Sequence, residues 1–248
     1  MAKGIERIIN SVFAGLTILA LNSNAAYYPK TGNITRGNPK FKEIALTFDY
    51  EGGKRKVGII LDALKKENVK ATFFVTGYMM KYYPDIVKRM ANEGHEIESH
   101  TYSHRMLTAI KKLDEGIIKK ELDKSSREFY KITGKNMNYW RAPGGYVNHD
   151  ILRYAEDDGF RHVYWTIDSR DWKCKTGEED AYEKRLLDNI EKDRYKGNGA
   201  IVIAHGYSRF SKKWPDVIKK LKEKYALVTL SRVIDDKDDY HIQIASKK

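Results

Sequence analysis

Apolar residues in this chain come in short runs that stop at polar or charged residues, and between those runs they recur at helical spacing. Glu43-Ile44-Ala45-Leu46-Thr47-Phe48 is one such run and ends at Asp49. Gly52-Gly53 breaks it, and Val57, Ile60, Leu61 and Leu64 then mark a helix. Strand followed by helix is the repeating unit. Ala71 to Val75 predicts a second strand, and a helix over about Tyr83 to Ala91 stops at Gly94, a good C-terminal signal. Glu96-Ile97-Glu98-Ser99 leads into His100-Thr101-Tyr102-Ser103-His104. Beyond it the pattern predicts a long helix from Leu113 to Ile132, a strand at Tyr139-Trp140-Arg141, a helix over Ile151 to Asp158, and a strand over His162 to Ile167 ending at Asp168. A helix around Tyr182 to Asp193 and a strand over Ala200 to Ala204 bring the chain to His205. Val217 to Lys224 and Ala226 to Leu230 complete the alternation.

Repeated βα units without an internal Pro/Gly-rich linker imply a single α/β domain with a mainly parallel sheet. Its extent is read as residues 41–236, with 237–248 a C-terminal tail. Residues 27–40, rich in Asn, Gly, Pro and Thr and lacking apolar period, read as a linker. In residues 1–26, Lys3 and Arg7 precede the apolar run Ser11 to Leu21, which is too short to span a bilayer as a stable helix, and Ser23-Asn24-Ala25 offers small residues for cleavage. This is the pattern of a secretory signal peptide; an uncleaved N-terminal anchor and a buried amphipathic helix are the alternatives. The expectation is an exported protein, secreted or held at the cell envelope.

With 248 residues, 41% of them hydrophobic and 12% aromatic, the chain can bury a substantial core. Its single cysteine, Cys174, excludes an intramolecular disulfide and a Cys-based structural zinc site, so any metal must be held by His and carboxylate. A formal charge of +12 favours polyanions, among them nucleic acid, anionic lipid and an anionic cell wall. No aromatic-basic ladder accompanies that charge, so nucleic acid is not expected as a partner. An exported basic protein suits an anionic envelope polymer, and no particular protein partner is indicated.

The polar motifs all fall at strand ends, the edge where active sites of parallel α/β folds assemble. His100 and His104, four residues apart, would share one face of a helical turn and could hold a metal ion with one further ligand, for which Asp49 and Glu51 are candidates. A carboxylate beside such an ion can take a proton from water, and the resulting hydroxide can attack a carbonyl. The Pro143-Gly144-Gly145 turn offers backbone N–H groups for an oxyanion. His205 could protonate the leaving group if Asp171 orients it and keeps it charged. Trp172 and Tyr146 give flat surfaces of the kind that stack on sugar rings. Taken singly, Arg141 reads as a surface ion pair, Trp172 as core and His205 as a strand-end histidine; their order along the chain is what argues otherwise.

In that order, Thr47-Phe48-Asp49, His100 to His104, Arg141-Ala142-Pro143-Gly144, Asp168-Ser169-Arg170-Asp171-Trp172 and Ile203-Ala204-His205 resemble the motifs of the polysaccharide deacetylase family (NodB homology domain, carbohydrate esterase family 4), from about Glu43 to Ile234. The resemblance implies a distorted (β/α) barrel, usually seven-stranded, with a divalent metal, commonly zinc. It implies hydrolysis of N-acetyl groups of an N-acetylhexosamine polymer such as peptidoglycan or a chitin-like glycan, releasing acetate. By position it makes Asp49 the catalytic base, His100 and His104 metal ligands, Arg141 the residue positioning the base, and Gly144 the oxyanion donor. Asp171 and Trp172 match the motif that orients the acid and walls the groove, and His205 matches the acid. The family's first motif usually continues with a second, metal-binding Asp, where this chain has Tyr50. Three outcomes are open: Glu51 supplies the carboxylate, water completes a weaker two-His site, or metal and activity are lost. The alternatives to an N-deacetylase are accordingly an O-acetyl glycan esterase and a catalytically impaired glycan-binding protein.

Overall fold

The computed structural model describes residues 32–234 and the backbone of residues 242 and 243. The signal-like stretch 1–26, the start of the linker and most of the 237–248 tail lie outside the described residues. Strand β2 (Glu43–Tyr50) is the spine of the fold, buried at every position after Glu43. A strand covered on both faces reads as a nearly continuous apolar run, which is how Ile44 to Phe48 appears. Parallel to β2 lie β3 (Thr72–Val75) on one side and β8 (Ala200–His205) on the other. The sheet continues outward through β4 (Glu96–Ser99), β5 (Tyr139–Trp140) and β6 (Arg161–His162), and past β8 to β7 (Ile167–Asp168). Its order is β6-β5-β4-β3-β2-β8-β7, with β9 (Ala226–Val228) pairing alongside the start of β2. Seven parallel strands thus curl into an incomplete barrel, in agreement with the α/β barrel and single domain expected.

Eight helices among the described residues cover the sheet: α1 (Lys54–Lys66), α2 (Gly77–Tyr82), α3 (Pro84–Asn92), α4 (Glu115–Thr133), α5 (His149–Asp157), α6 (Glu179–Lys192), α7 (Trp214–Lys222) and α8 (Leu230–Ile234). Their ends follow local chemistry. Asp114 caps α4 by accepting from the Ile117 amide at 2.9 Å, and Gly134, with φ 68°, closes it in the left-handed conformation. Beneath the helices Phe48 stacks on Phe73 at 5.3 Å and meets the Trp214 edge at 5.1 Å. None of the described helices is long and apolar enough to cross a membrane.

Three segments differ from the sequence reading. The helix expected over about Tyr83 to Ala91 is α3, but a further short helix that the sequence reading lacked, α2, precedes it: Thr76 caps α2, and Pro84 starts α3 afresh at a position where its missing N–H costs nothing. The single strand expected over His162 to Ile167 is β6 and β7, which lie on opposite edges of the sheet, so residues 163–166 cross the barrel's seam. The segment read as a linker enters the fold there. Strand β1 (Asn33–Ile34) accepts from the Tyr164 amide through Ile34 O at 2.8 Å, Arg36 bridges Ala200 and ion-pairs with Asp193, and β10 (Ile242–Gln243) pairs antiparallel with β1. Its polar composition concealed this because the docking runs through backbone hydrogen bonds, the polar side chains of Asn33 and Arg36, and one buried apolar side chain, Ile34.

Gly37 shows how closely that segment is seated, since a Cβ there would fall 2.0 Å from the Val233 carbonyl oxygen. Gly37→Ala is expected to lower stability by about 1–3 kcal/mol, the usual cost of overpacking. A denaturation midpoint equal to that of the parent chain would show that residues 33–38 are not part of the cooperative unit.

Candidate active site

Residue alternation along β2 puts Thr47 and Asp49 on one face and Phe48 and Tyr50 on the other. Facing Asp49 from the end of β5 is Arg141, wholly buried. Its Nη1 donates to Asp49 Oδ1 at 2.8 Å and to Thr47 Oγ1 at 3.0 Å, Nε donates to Val163 O at 3.2 Å, and Nη2 to Tyr164 O at 3.0 Å. The guanidinium lies 4.0 Å from the Phe74 ring centroid. It is an interior group that makes four hydrogen bonds, not the surface ion pair that its motif allowed in isolation. Burial alone would raise the Asp49 pKa, but the charge of Arg141, that of His205 and the Arg141 hydrogen bond more than offset it and hold the carboxyl below its ordinary value.

His100 follows β4 and is buried. Its Nδ1 lies 2.9 Å from Arg141 O, so that nitrogen carries the proton, and Nε2 lies 3.6 Å from Asp49 Oδ2. The helical turn expected to join it to His104 is not formed. Thr101 and His104 have φ of 63° and 57°, and the chain between the imidazoles is a loop. Glu121 of α4 fixes that loop by accepting from the amides of Tyr102 (3.0 Å) and Ser103 (2.8 Å) and from Ser103 Oγ (2.8 Å). The first amides of α2, from Gly77 and Tyr78, donate to the carbonyls of Thr101 and Tyr102, each at 3.0 Å. The rings are nonetheless brought together, with centroids 4.9 Å apart.

Tyr50 takes no part in this cluster. Its side chain is packed in the main core, its hydroxyl has no hydrogen-bond partner, and burial pushes the phenol above its ordinary pKa, so it cannot serve as a phenolate ligand. Glu51 returns to the cleft, with Oε1 3.9 Å from His104 Nε2. One ligand atom from each of Glu51, His100 and His104 lies within 4.8 Å of the others, the one such group among the described residues. Glu51 Oε2 is buried without a hydrogen-bond partner, and burial together with the Asp49 charge raises its pKa to about 7. Both imidazoles are held neutral by burial, His100 with a pKa of about 4. Two neutral imidazoles beside a carboxyl that Tyr207 engages and that keeps one buried oxygen, Oε2, without a partner fit a divalent cation of the zinc class.

Across the cleft, His205 ends β8 in register with Asp49. Asp171 accepts from both its Nδ1 (2.7 Å) and its backbone amide (3.0 Å), and is itself held by Ser169 Oγ at 3.1 Å and by Ser208 Oγ, which donates to Asp171 O at 2.7 Å. Burial would lower the His205 pKa, but Asp171, Asp49 and Glu51 raise it to about 9. The cleft between these groups measures about 640 Å³ and is lined by Asp49, Glu51, His100, His104, Gly144 and His205. Tyr146 and Trp172 stand on its rim, 60% and 49% exposed, which rules out a core role for Trp172. Gly144, at φ 64°, lies against Tyr146, and a Cβ there would come within 2.9 Å of that ring. The Gly145 amide is engaged by Ala142 O at 2.8 Å, which leaves Gly144 as the glycine amide for an oxyanion.

All ten site residues read from the sequence therefore lie in or directly behind this cleft. Sequence reasoning missed the supports. Glu121 is one polar position on an amphipathic helix, Ser208 is one serine after His205, and Tyr164 and Trp165, which stack at 3.7 Å in the cleft wall, were read as strand. Cys174 is buried and lines no part of the cleft.

A family model described as polysaccharide deacetylase matches residues 36–163. The chain is 38% identical over 207 residues to the peptidoglycan-N-acetylmuramic acid deacetylase PdaA of Bacillus subtilis, covering 82% of this chain and 75% of that protein. The solved structure of B. subtilis PdaA, a family 4 carbohydrate esterase, superposes with a TM-score of 0.67 at 35% identity, over 82% of this chain and 84% of that one. A carbohydrate esterase family 4 pseudoenzyme from Bacillus anthracis superposes with a TM-score of 0.72 at 29% identity, over 82% and 69%.

Removing the Glu51 charge separates a ligand from a bystander. Glu51→Gln is expected to weaken zinc binding in a calorimetric titration by at least the roughly 10–100-fold that even outer partners of metal sites contribute. In the zinc-free chain the sign reverses. A carboxyl whose folded pKa of about 7 exceeds its unfolded value costs stability as pH rises through that range, so Glu51→Gln should melt higher than the parent above pH 7 and not at pH 4. Unchanged zinc affinity would remove Glu51 from the site.

Proposed function

The chain belongs to the polysaccharide deacetylase family, and on that premise we propose that it is a metal-dependent hydrolase removing N-acetyl groups from an N-acetylhexosamine polymer of the peptidoglycan type. One observation carries the reading. Asp49 and His205 are neighbours in register, each locked by its own partner, and line one cleft with the Glu51, His100 and His104 cluster. Glu51, His100 and His104 would hold the divalent ion, zinc being the best match to their chemistry. When bound, such an ion polarises a carbonyl and lowers the pKa of water.

The remaining steps belong to the chain's own groups. Asp49, ionised and oriented by Arg141, accepts the proton of the attacking water. The Gly144 amide donates to the oxyanion. His205, protonated on both nitrogens near neutral pH, gives its Nε2 proton to the departing amine while Asp171 keeps Nδ1 in place. Tyr146 and Trp172 offer ring faces to the neighbouring sugars. The formal charge of +12 suits an anionic envelope polymer, and on this reading the signal-like residues 1–26 export the protein to it.

A second reading, a glycan-binding protein without turnover, is favoured by Tyr50 and by the likeness to a pseudoenzyme. The Glu51 carboxyl beside both histidines weighs against it. The same machinery would also attack an ester more easily than an amide, so acetylated xylan belongs in the assay.

Acetate release from peptidoglycan and from N-acetylglucosamine oligomers, after chelation and after zinc is restored, is the test. Zinc should restore release, and Asp49→Asn should lower it by roughly 10²–10⁴-fold without unfolding the chain. The rate should fall as pH rises through about 9, where His205 loses its proton, and Asp171→Asn should move that limb to lower pH. Saturable glycan binding that survives chelation, with no acetate from any substrate, would replace the enzyme by the binding protein.

A further inference from the structure

Behind the cleft runs a chain of hydrogen bonds that the catalytic reading does not use. His162, at the end of β6, is buried and packs edge-on against Trp140 at 4.7 Å. Its Nε2 accepts from the Ala142 amide at 3.1 Å, and its Nδ1 lies 2.6 Å from Asn33 Oδ1. The Ala142 amide belongs to the same peptide group as the Arg141 carbonyl, and that carbonyl faces His100 Nδ1 at 2.9 Å. One peptide plane is therefore gripped at both ends by imidazoles.

Elementary donor and acceptor rules fix every proton along this chain. A backbone amide can only donate, so His162 Nε2 must be unprotonated. His162 then carries its proton on Nδ1 and donates to the Asn33 side-chain oxygen. A backbone carbonyl can only accept, so His100 is protonated on Nδ1 and its Nε2 lone pair faces the cleft. Burial and the nearby charge of Arg141 hold the His162 pKa at about 3, so the ring keeps this neutral form throughout the physiological range. Hydrogen bonds in series in a low-dielectric interior polarise one another, and outer partners of this kind set the orientation and basicity of metal-side histidines.

We infer that Asn33 and His162 are positioning residues: through the Arg141–Ala142 peptide they fix the Nδ1–H tautomer and ring orientation of His100, and with it the placing of Arg141 and the Gly144 turn. The inference rests on the metal reading proposed for His100, and it assigns a role in the site to a residue of the segment that sequence composition marks as linker. Asn33 lies 67 positions before His100 in the chain, and β1 brings it to the seam where β6 ends.

The test uses the full chain with three substitutions and two readouts, zinc titration by calorimetry and long-range ¹⁵N–¹H NMR of the imidazoles without zinc. In the zinc-free parent, His100 and His162 should each appear as the pure Nδ1–H tautomer. His162→Phe fills the space but removes the acceptor; it should mix the His100 tautomers and weaken zinc binding by about 10–100-fold. His162→Gln, whose side-chain oxygen can still accept from Ala142, should restore most of the affinity. Asn33→Ala removes only the outer bond and should act in the same direction as His162→Phe, and it decides the matter if the Phe variant does not fold. A folded His162→Phe or Asn33→Ala chain with unchanged zinc affinity and an unchanged His100 tautomer would overturn the inference. If the parent binds no zinc while its His100 tautomer still responds to His162, the metal reading fails and the relay stands.

Discussion

The contact on which this structure depends is the buried pair of Arg141 and Asp49. An ionised guanidinium in the interior is tolerated only when its donors are matched and an opposite charge is close. Here it meets Asp49 and Thr47 of β2 and the carbonyls of Val163 and Tyr164 in the seam. One side chain thereby joins the spine strand, the end of β5 and the segment that crosses the open side of the barrel. The requirement works in both directions: Asp49 is kept ionised by Arg141, and Arg141 can be buried because Asp49 and three further acceptors are there.

From that pair follows the electrostatic layout of the cleft. Burial raises the neighbouring Glu51 carboxyl and a charged Asp49 adds to that rise, while Asp171, with Asp49 and Glu51, raises His205. His100 and His104, desolvated and without a carboxylate on Nδ1, stay neutral. Groups of similar ordinary pKa are pushed apart by their surroundings, which is how one cleft places an ionised carboxylate, a protonated imidazole and two neutral imidazoles side by side near neutral pH, the set that the proposed reaction needs. Within the cleft Glu51 keeps one buried oxygen, Oε2, without a hydrogen-bond partner, and that is where a cation has most to offer.

Much of this was legible in the sequence, and what was not has a physical reason. The strands β2, β3 and β8 were readable because strands buried on both faces must be apolar runs, and Asp49 and His205 stood out because each ends such a run. The helix assumed between His100 and His104 failed because spacing reports periodicity only where a helix exists, and the loop is imposed by Glu121 and by α2, neither of them adjacent in sequence. Tyr50 was conspicuous as a departure from the family pattern. That its ring turns into the core while Glu51 returns to the cleft follows from the two-residue alternation of a strand. Asn33, His162 and Ser208 were silent, since a residue acting through hydrogen bonds to distant backbone leaves no local pattern.

The account turns on Glu51 taking the place left by Tyr50. The most direct measurement is anomalous diffraction at the zinc edge from crystals of the chain grown with zinc. The account predicts one ion with His100 Nε2 and His104 within about 2.0–2.1 Å and a Glu51 carboxylate oxygen at about 2.0–2.2 Å. An ion held by the two histidines with Glu51 turned away, or no ion in the cleft at all, would contradict it.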